Sequence, residues 1–433
     1  MRKAILVKGP FLSRSGYGEQ ARFAVRSLLA HEDRFDIYLV NTNWGQTGWM
    51  WQDDEERKLF DSLILKANTT PPKYYDYHLQ VTIPNEWEKV QNEGTEYCCN
   101  IGYTAGIETD RVAPIWLQKA NDNVDKIIVV SNHAKNVFES TTYNYENSNG
   151  TKGLYRLETE VKTVNYPVKD LPSEKVDLKL STDFNFLTVA QWGPRKNLES
   201  TIGWFTENFK DNENVGLIIK TSTANNSTMD MQFTSEKLEM LLSNEKLKDR
   251  KCKIYLLHGD MTDNQINNIY KNRKVKALIS LSHGEGFGLP MFEAAYNKLP
   301  VITTNWSGQV DFLNVPKKQR AKGKKKKTET IMKPMFGVVN HAMGKIQEHA
   351  VWDNVLQKDS NWAYANEQSY KIVLNDLYEN YDKYKKMANE LEKYLKENFS
   401  KEKQYEKFAD AVCPKEEFSV ENWLDTLGEE VFE

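Results

Sequence analysis

Four cysteines in 433 residues, the neighbours Cys98 and Cys99 with Cys252 and Cys413 far off, show no C-x-x-C or Cys/His ligand spacing. A zinc site or redox pair has no foothold in that pattern, and buried thiols in a reducing compartment are expected. No stretch approaches the roughly 18 apolar residues that a membrane span needs. The start, MRKAILVKGPF, has only four apolar residues in a row before Lys8, so it reads as a buried strand and not as a signal peptide. A soluble, cytoplasmic protein is the expectation. Internal repeats are absent, and no Asp-x-Asp pair occurs anywhere.

What is present is ordinary globular material: 39% hydrophobic, 12% aromatic and 27% charged residues, too apolar for disorder and too long for one core. The first half alternates apolar runs (AILV, FDIYLV, HLQVTI, NIGYT, KIIVVS) with amphipathic segments such as residues 18–29, the pattern of a parallel doubly wound α/β sheet. Asp53 and Asp54 suit the start of a helix that Pro71 and Pro72 end. Prolines and charges cluster over residues 162–178, as in an interdomain linker. A second alternation comes next (FNFLTVA, VGLIIK, KIYLLHG, VKALISL, LPVITT), and the last hundred residues read as helical. The expected domains are residues 1–170 on the acceptor side, 171–395 on the nucleotide side, and a helical segment 396–433 packing back on the first.

The densest chemical signal lies in residues 277–313. An apolar strand runs into HGEGFGLPMFE, with Pro290 where the first turn of a helix tolerates a missing N–H and Glu293 just inside it. Gly284, Gly286 and Gly288 let the backbone approach a ligand closely, and the free N–H groups of a helix start favour an anion. Two carboxylates beside a phosphate are costly unless they accept hydrogen bonds from hydroxyls, and sugar and ribose hydroxyls are the obvious donors. A lone G-x-G turn more often only relieves a tight bend; two glutamates bracketing GFGLP between strand and helix is far more specific.

That segment resembles the signature of the retaining glycosyltransferases of family four (glycosyl transferases group 1). The resemblance covers most of residues 1–313 and implies the GT-B fold, two Rossmann-like domains facing a central cleft, and transfer from a nucleotide-diphosphate sugar, expected to be a UDP-sugar, without an obligatory metal or other cofactor. It implies that Glu285 binds the donor sugar and Glu293 the ribose, with backbone groups of Gly286, Phe287, Gly288 and Leu289 near sugar or phosphate. FLTVAQWGPRKNLES resembles the segment whose Arg and Lys neutralise the diphosphate; Lys196 falls on the lysine, Trp192 replaces the arginine, and Arg195 is the substitute. SGQ resembles the loop whose amides, at Ser307 and Gly308, cap the distal phosphate. YLLHGDMTD, with His258 and Gly259, resembles the loop that brackets the base, and KGPFLSRSGYGEQAR, with Gly16 and Gly18, the loop that closes over the donor.

The remaining candidates are weaker. Glu108, in a loop after a strand, suits an acceptor base or hydroxyl ligand, though loop acids are usually only solvated; Asp110 is its neighbour on the acceptor side. His133 reads as a cap or solvent-facing residue, while His258 and His283 lie near the presumed donor. Trp44, Trp49 and Trp51 suit stacking on an acceptor, but core tryptophans are commoner. Residues 317–327 hold eight basic and no acidic side chains, including Lys324 and Lys325, and without them the net charge of −3 becomes −11. With a Lys- and Asn-rich sequence resembling phage-encoded family members, this favours double-stranded DNA carrying hydroxymethylated pyrimidines as acceptor, in the host cytoplasm. A glycan or lipopolysaccharide acceptor is the alternative, and a sugar-nucleotide or nucleic-acid binding protein without turnover is a third.

Overall fold

The computed structural model describes residues 2–45, 48–50, 53–94, 97–146, 149–320 and 328–415. The first sheet takes β1 (Lys3–Gly9), β2 (Phe35–Asn41), β3 (Tyr77–Val81), β4 (Cys99–Thr104) and β5 (Lys126–Val129). A hairpin of β6 (Thr142–Glu146) and β7 (Lys152–Arg156) comes after β5, and β8 (Glu160–Thr163) completes the sheet. All its pairings are parallel, in the order β2-β1-β3-β4-β5-β8. Every residue of β3 and β4 is buried, because helices cover both faces of a parallel sheet.

The second sheet repeats the plan with β9 (Phe184–Val189), β10 (Val215–Lys220), β11 (Lys253–Leu257), β12 (Val275–Ser280) and β13 (Val301–Thr304). Beyond β13 the chain forms two hairpins: β14 (Asn314–Arg320) with β15 (Thr328–Pro334), and β17 (His341–Lys345) with β18 (Asn361–Ala365). Between them β16 (Gly337–Val339) closes the parallel order β11-β10-β9-β12-β13-β16. The chain therefore has the GT-B architecture of two parallel Rossmann-like sheets. In each sheet the strand order reverses at the centre, between β1 and β3 and between β9 and β12, and ligands of such sheets sit beyond the strand ends at that reversal.

Two expectations are corrected by this architecture. Residues 337–365, expected within a helical tail, carry β16 and the β17/β18 hairpin; among the described residues beyond them, α-helices occupy Glu367–Glu379, Tyr381–Asn398 and Lys401–Val412. The start of the supposed linker, residues 162–163, belongs to β8, whose Val161 is 3% exposed. Strand ends rich in Lys and Glu carry too little apolar alternation to stand out.

The chain passes between the sheets twice. After β8 it runs along the Asp263–Lys271 helix, where Asn267 donates to the carbonyls of Leu171 and Pro172 at 2.8 and 3.1 Å. After the Tyr381–Asn398 helix it returns, and the Lys401–Val412 helix packs on the Gly16–Leu29 helix through Phe408 and Phe23, centroids 5.3 Å apart. Arg34 pairs with Asp410 at 2.9 Å there and also donates to the Cys413 carbonyl. One apolar cluster runs through both sheets: the Tyr166 ring meets Phe23 at 5.6 Å on one side and Phe287 at 5.1 Å on the other.

Candidate active site

The loops after β9 and β12, the strands flanking the reversal, meet at one point. After β9 a short turn, Pro194–Lys196, holds Arg195 and Lys196, and Asn197 comes next in the left-handed region at φ 51°. After β12 the segment 281–288 returns toward them: the His283 N–H and the Ser282 hydroxyl both donate to the Arg195 carbonyl, at 2.8 and 3.2 Å. The result centres on Glu285. Lys196 Nζ donates to its Oε1 at 2.5 Å and Arg195 Nη1 to its Oε2 at 3.0 Å. Arg195 also reaches Glu108 of the first domain at 3.2 Å, so this ion cluster bridges the cleft.

Burial disfavours the Glu285 charge, but Lys196 and then Arg195 outweigh it and hold the carboxyl down at about 2. The same burial, with Arg195 beside it, lowers Lys196. Burial also opposes the Arg195 charge, yet Glu108 and Glu285 overcome it and raise the guanidinium. The cluster is dense in fixed charge: two cations and two carboxylates within ion-pair distance.

Gly288, at φ 97°, starts the Leu289–Tyr296 helix with Pro290 in its first turn, as the sequence predicts. The N–H groups of Gly286, Phe287 and Gly288 make no hydrogen bond among the described residues. They lie beside the two cations' partner, an arrangement suited to an anion. Glu293 sits on the next turn in a different setting: Tyr270 donates to its Oε2 at 3.0 Å, and burial raises its carboxyl to about 7, against the pull of Lys169.

The first domain presses closely on this loop, and that proximity accounts for the glycines. A Cβ on Gly284 would lie 2.1 Å from the Glu108 carbonyl oxygen, and one on Gly286 2.6 Å from that of Ala105. These two glycines therefore admit the backbone of the facing domain. Gly308 is confined likewise. Its N–H donates to the Glu285 carbonyl at 2.9 Å, a Cβ there would meet the Gly286 oxygen at 2.1 Å, and its amide is occupied in shaping the loop. Ser307 Oγ accepts from the Glu285 N–H at 2.9 Å and donates to Gln309 at 2.8 Å.

Other expected residues fall into place with less chemistry. The Phe287 side chain is core, against Tyr166, Phe292 and Phe312, and Leu289 is half-buried at the helix start. Trp192 is buried, and its indole donates to Glu199 at 2.7 Å, which explains how an aromatic fits there. His258 pairs with Asp230 at 2.9 Å, and Asp230 in turn holds the Ala224 and Asn226 amides; Gly259 accepts from Lys220 at 2.8 Å. Asp110 does not face the cleft as a free acid: both its oxygens accept from Asn361, at 2.7 and 2.8 Å, bracing the β17/β18 hairpin. Gly18 cannot carry a Cβ, which would meet the Ser13 carbonyl at 2.0 Å, whereas Gly16 faces open space.

His133, expected at the surface, stands edge-on to Trp306 at 4.8 Å, and burial lowers it to about 4; Ser131 makes the helix cap instead. His283 stacks on Trp362 at 4.8 Å and bonds the Ala363 carbonyl at 2.7 Å. Trp44 packs on Tyr17 at 4.1 Å, and Trp49 is 41% exposed. Trp51, Lys324 and Lys325 lie outside the described residues. Sequence reading missed Lys169 and Glu19, which pair at 2.7 Å between the domains; a lysine in a charged linker carries no signal of such a role.

Residues 172–329 match the sequence model of the family described as Glycosyl transferases group 1. Over 204 residues the chain is 27% identical to the serotype-specific mannosyltransferase WbdA of Escherichia coli, a match covering 46% of this chain and 23% of that protein. The chain thus spans under a quarter of the length of that relative. Among solved structures, the sucrose-phosphate synthase of Thermosynechococcus elongatus superposes with a TM-score of 0.59 at 13% identity, over 94% of this chain and 98% of that one. HepE of Anabaena, solved in complex with UDP-glucose, gives 0.56 at 13% identity, over 94% and 99%. Fold and sequence match agree: the chain has the GT-B fold, and its residues 172–329 are similar to the glycosyl transferases group 1 family.

Proposed function

We propose that this protein transfers a glycosyl group from a nucleotide-diphosphate sugar, a UDP-sugar, to a hydroxyl acceptor with retention at the anomeric carbon. The observation that carries the reading is the convergence of Arg195 and Lys196 on Glu285 at the strand reversal, beside the amides of Gly286, Phe287 and Gly288. Expelling a diphosphate concentrates negative charge on its oxygens as an oxocarbenium-like centre develops. Fixed cations and amide dipoles already in place stabilise that charge without reorganising. Glu285 accepts from donor-sugar hydroxyls while keeping the two cations side by side, and Glu293 accepts from the ribose diol. Both carboxylates that reach the cations, Glu108 and Glu285, are held by Arg195, which favours same-face attack assisted by the leaving phosphate over an enzyme nucleophile.

Because Arg195 and Lys196 supply the positive charge, turnover is expected to persist in EDTA; strict dependence on Mg²⁺ or Mn²⁺ would overturn that part. The decisive experiment offers labelled UDP- and GDP-sugars and tracks product by mass spectrometry, with Glu285→Ala as the inactive control. Absence of product from every donor, with nucleotide bound away from Glu285 and Glu293, sinks the proposal.

For the acceptor, a saccharide hydroxyl is the first reading, supported by relatives that carry the name mannosyltransferase. A hydroxymethylated pyrimidine in duplex DNA is the second, favoured by the β14/β15 hairpin with Lys318 on one strand and Lys333 on the other. Phosphate contacts release counterions, so duplex affinity must fall steeply with salt. A flat response ends the DNA reading.

A further inference from the structure

We propose that Lys169 is a positioning residue of the donor site, a single cation on the interdomain crossover that ties the glycine-rich helix start of the first domain to the Glu293 side of the second. The inference rests on the function proposed above. Lys169 Nζ lies 2.7 Å from Glu19 and 3.3 Å from Asp263, and its side chain is 21% exposed. Glu19 stands in the first turn of the Gly16–Leu29 helix, one residue after Gly18. Asp263 opens the helix that carries Tyr270, the hydrogen-bond donor to Glu293. Three elements distant in sequence therefore share one ammonium.

The charges around it explain why a lysine is needed. Glu19 is 13% exposed at its side chain and also pairs with Arg22 at 3.3 Å and Arg26 at 3.0 Å; it is a buried carboxylate that stays charged only because cations surround it. Burial raises Lys169's cost of charge, yet Glu19 and Asp263 more than compensate and hold it protonated. Glu293 is faced by Lys169 from the crossover, by Asp263 and Tyr270 from one helix, by Glu19 from the other, and by Tyr296 on its own helix. Of these only Lys169 is a cation. Removing it leaves Glu293 among carboxylates and favours its neutral form, which accepts less well from a ribose diol. Removing Asp263 takes away a like charge and acts in the opposite sense.

The test is a set of three variants of the full chain, Lys169→Met, Lys169→Arg and Asp263→Asn. The Glu293 titration midpoint is measured by carboxyl NMR on ¹³C-labelled glutamate in nucleotide-free protein, assigned with Glu293→Gln. Lys169→Met is expected to move the midpoint up by about one pH unit and Asp263→Asn to move it down. With saturating acceptor, Lys169→Met should raise donor KM about tenfold with kcat changed less than about threefold, and Lys169→Arg should restore KM and midpoint. Unchanged midpoints, shifts of both variants in one direction, or loss of kcat at constant KM overturn the proposal. Should Lys169→Met fail to fold, Asp263→Asn, which leaves the Lys169–Glu19 pair intact, decides by the direction of its shift. If the wild type turns over no nucleotide sugar, the proposed function fails, while the midpoints still decide whether Lys169 governs Glu293.

Discussion

Glu285 and Glu293 lie two helical turns apart in sequence and look equivalent there, but they occupy opposite electrostatic settings. Glu285 has two cations within hydrogen-bond distance and is held down at about 2. Glu293 has a tyrosine hydroxyl, a more distant lysine and two carboxylates, and burial carries it up to about 7. Glu285 is buried and Glu293 half-buried, and what differs most is whether the neighbours repay the lost hydration. One end of the motif is a permanent anion that organises cations, and the other changes charge near neutrality.

The sharpest way to break the contrast is to strip the Glu285 end of its cations. Arg195→Ala or Lys196→Ala should lower kcat/KM by about 10³, the scale of losing a preorganised charge at a developing anion, measured with donor and acceptor under steady-state conditions. Glu285→Gln attacks the same end from the other side. It leaves two half-buried cations side by side, with only Glu108 still paired to Arg195, and should cost about 2 kcal/mol in urea unfolding, below the range for breaking a fully buried pair.

At the other end the effect is one of pH. The Glu293 carboxyl lies near 7 folded against 4.5 unfolded, so the folded protein holds the extra proton between those values. Its contribution to stability is complete below pH 4.5 and is lost as pH rises through 7, with a slope of at most about 1.4 kcal/mol per pH unit. Glu293→Gln should abolish this slope in denaturation curves collected from pH 4.5 to 8. For Glu285 the sign is reversed: its stabilisation is present above 4.5 and fades only as pH falls through 2. The smallest effect is expected from Asp110→Ala, which removes two hydrogen bonds to Asn361 and should cost about 1 to 2 kcal/mol while leaving both carboxyl midpoints in place.

Much of this is legible in the residue order. The ten expected strands and the helix capped by Asp54 are where apolar runs and caps place them, since each is a local signal; Asp54 accepts from Arg57 N–H at 2.9 Å. Arg195 and Lys196 with Glu285 can be nominated because strand, glycine turn and helix surround them. What stays hidden is non-local. Nothing in GEGFG says that the Glu108 and Ala105 carbonyls will press on it, nor that Gly308 will spend its amide on Glu285. The β17/β18 hairpin escapes a sequence reading because its strands are short and mixed in polarity, and its contacts to the other domain are non-local: Asp110 holds Asn361 and Arg111 pairs with Asp359.

The two passages of the chain between the sheets limit how the cleft can move. A single tether would allow the halves to swivel, slide or twist. In this chain one pivot lies at residues 164–183 and a second near Phe399, where the Val168 N–H bonds the Phe399 carbonyl at 2.8 Å and brings the pivots together. A body held at two neighbouring points turns most easily about the line that joins them. Opening about that line would resemble a book parting from its spine, with Lys169 one residue from it.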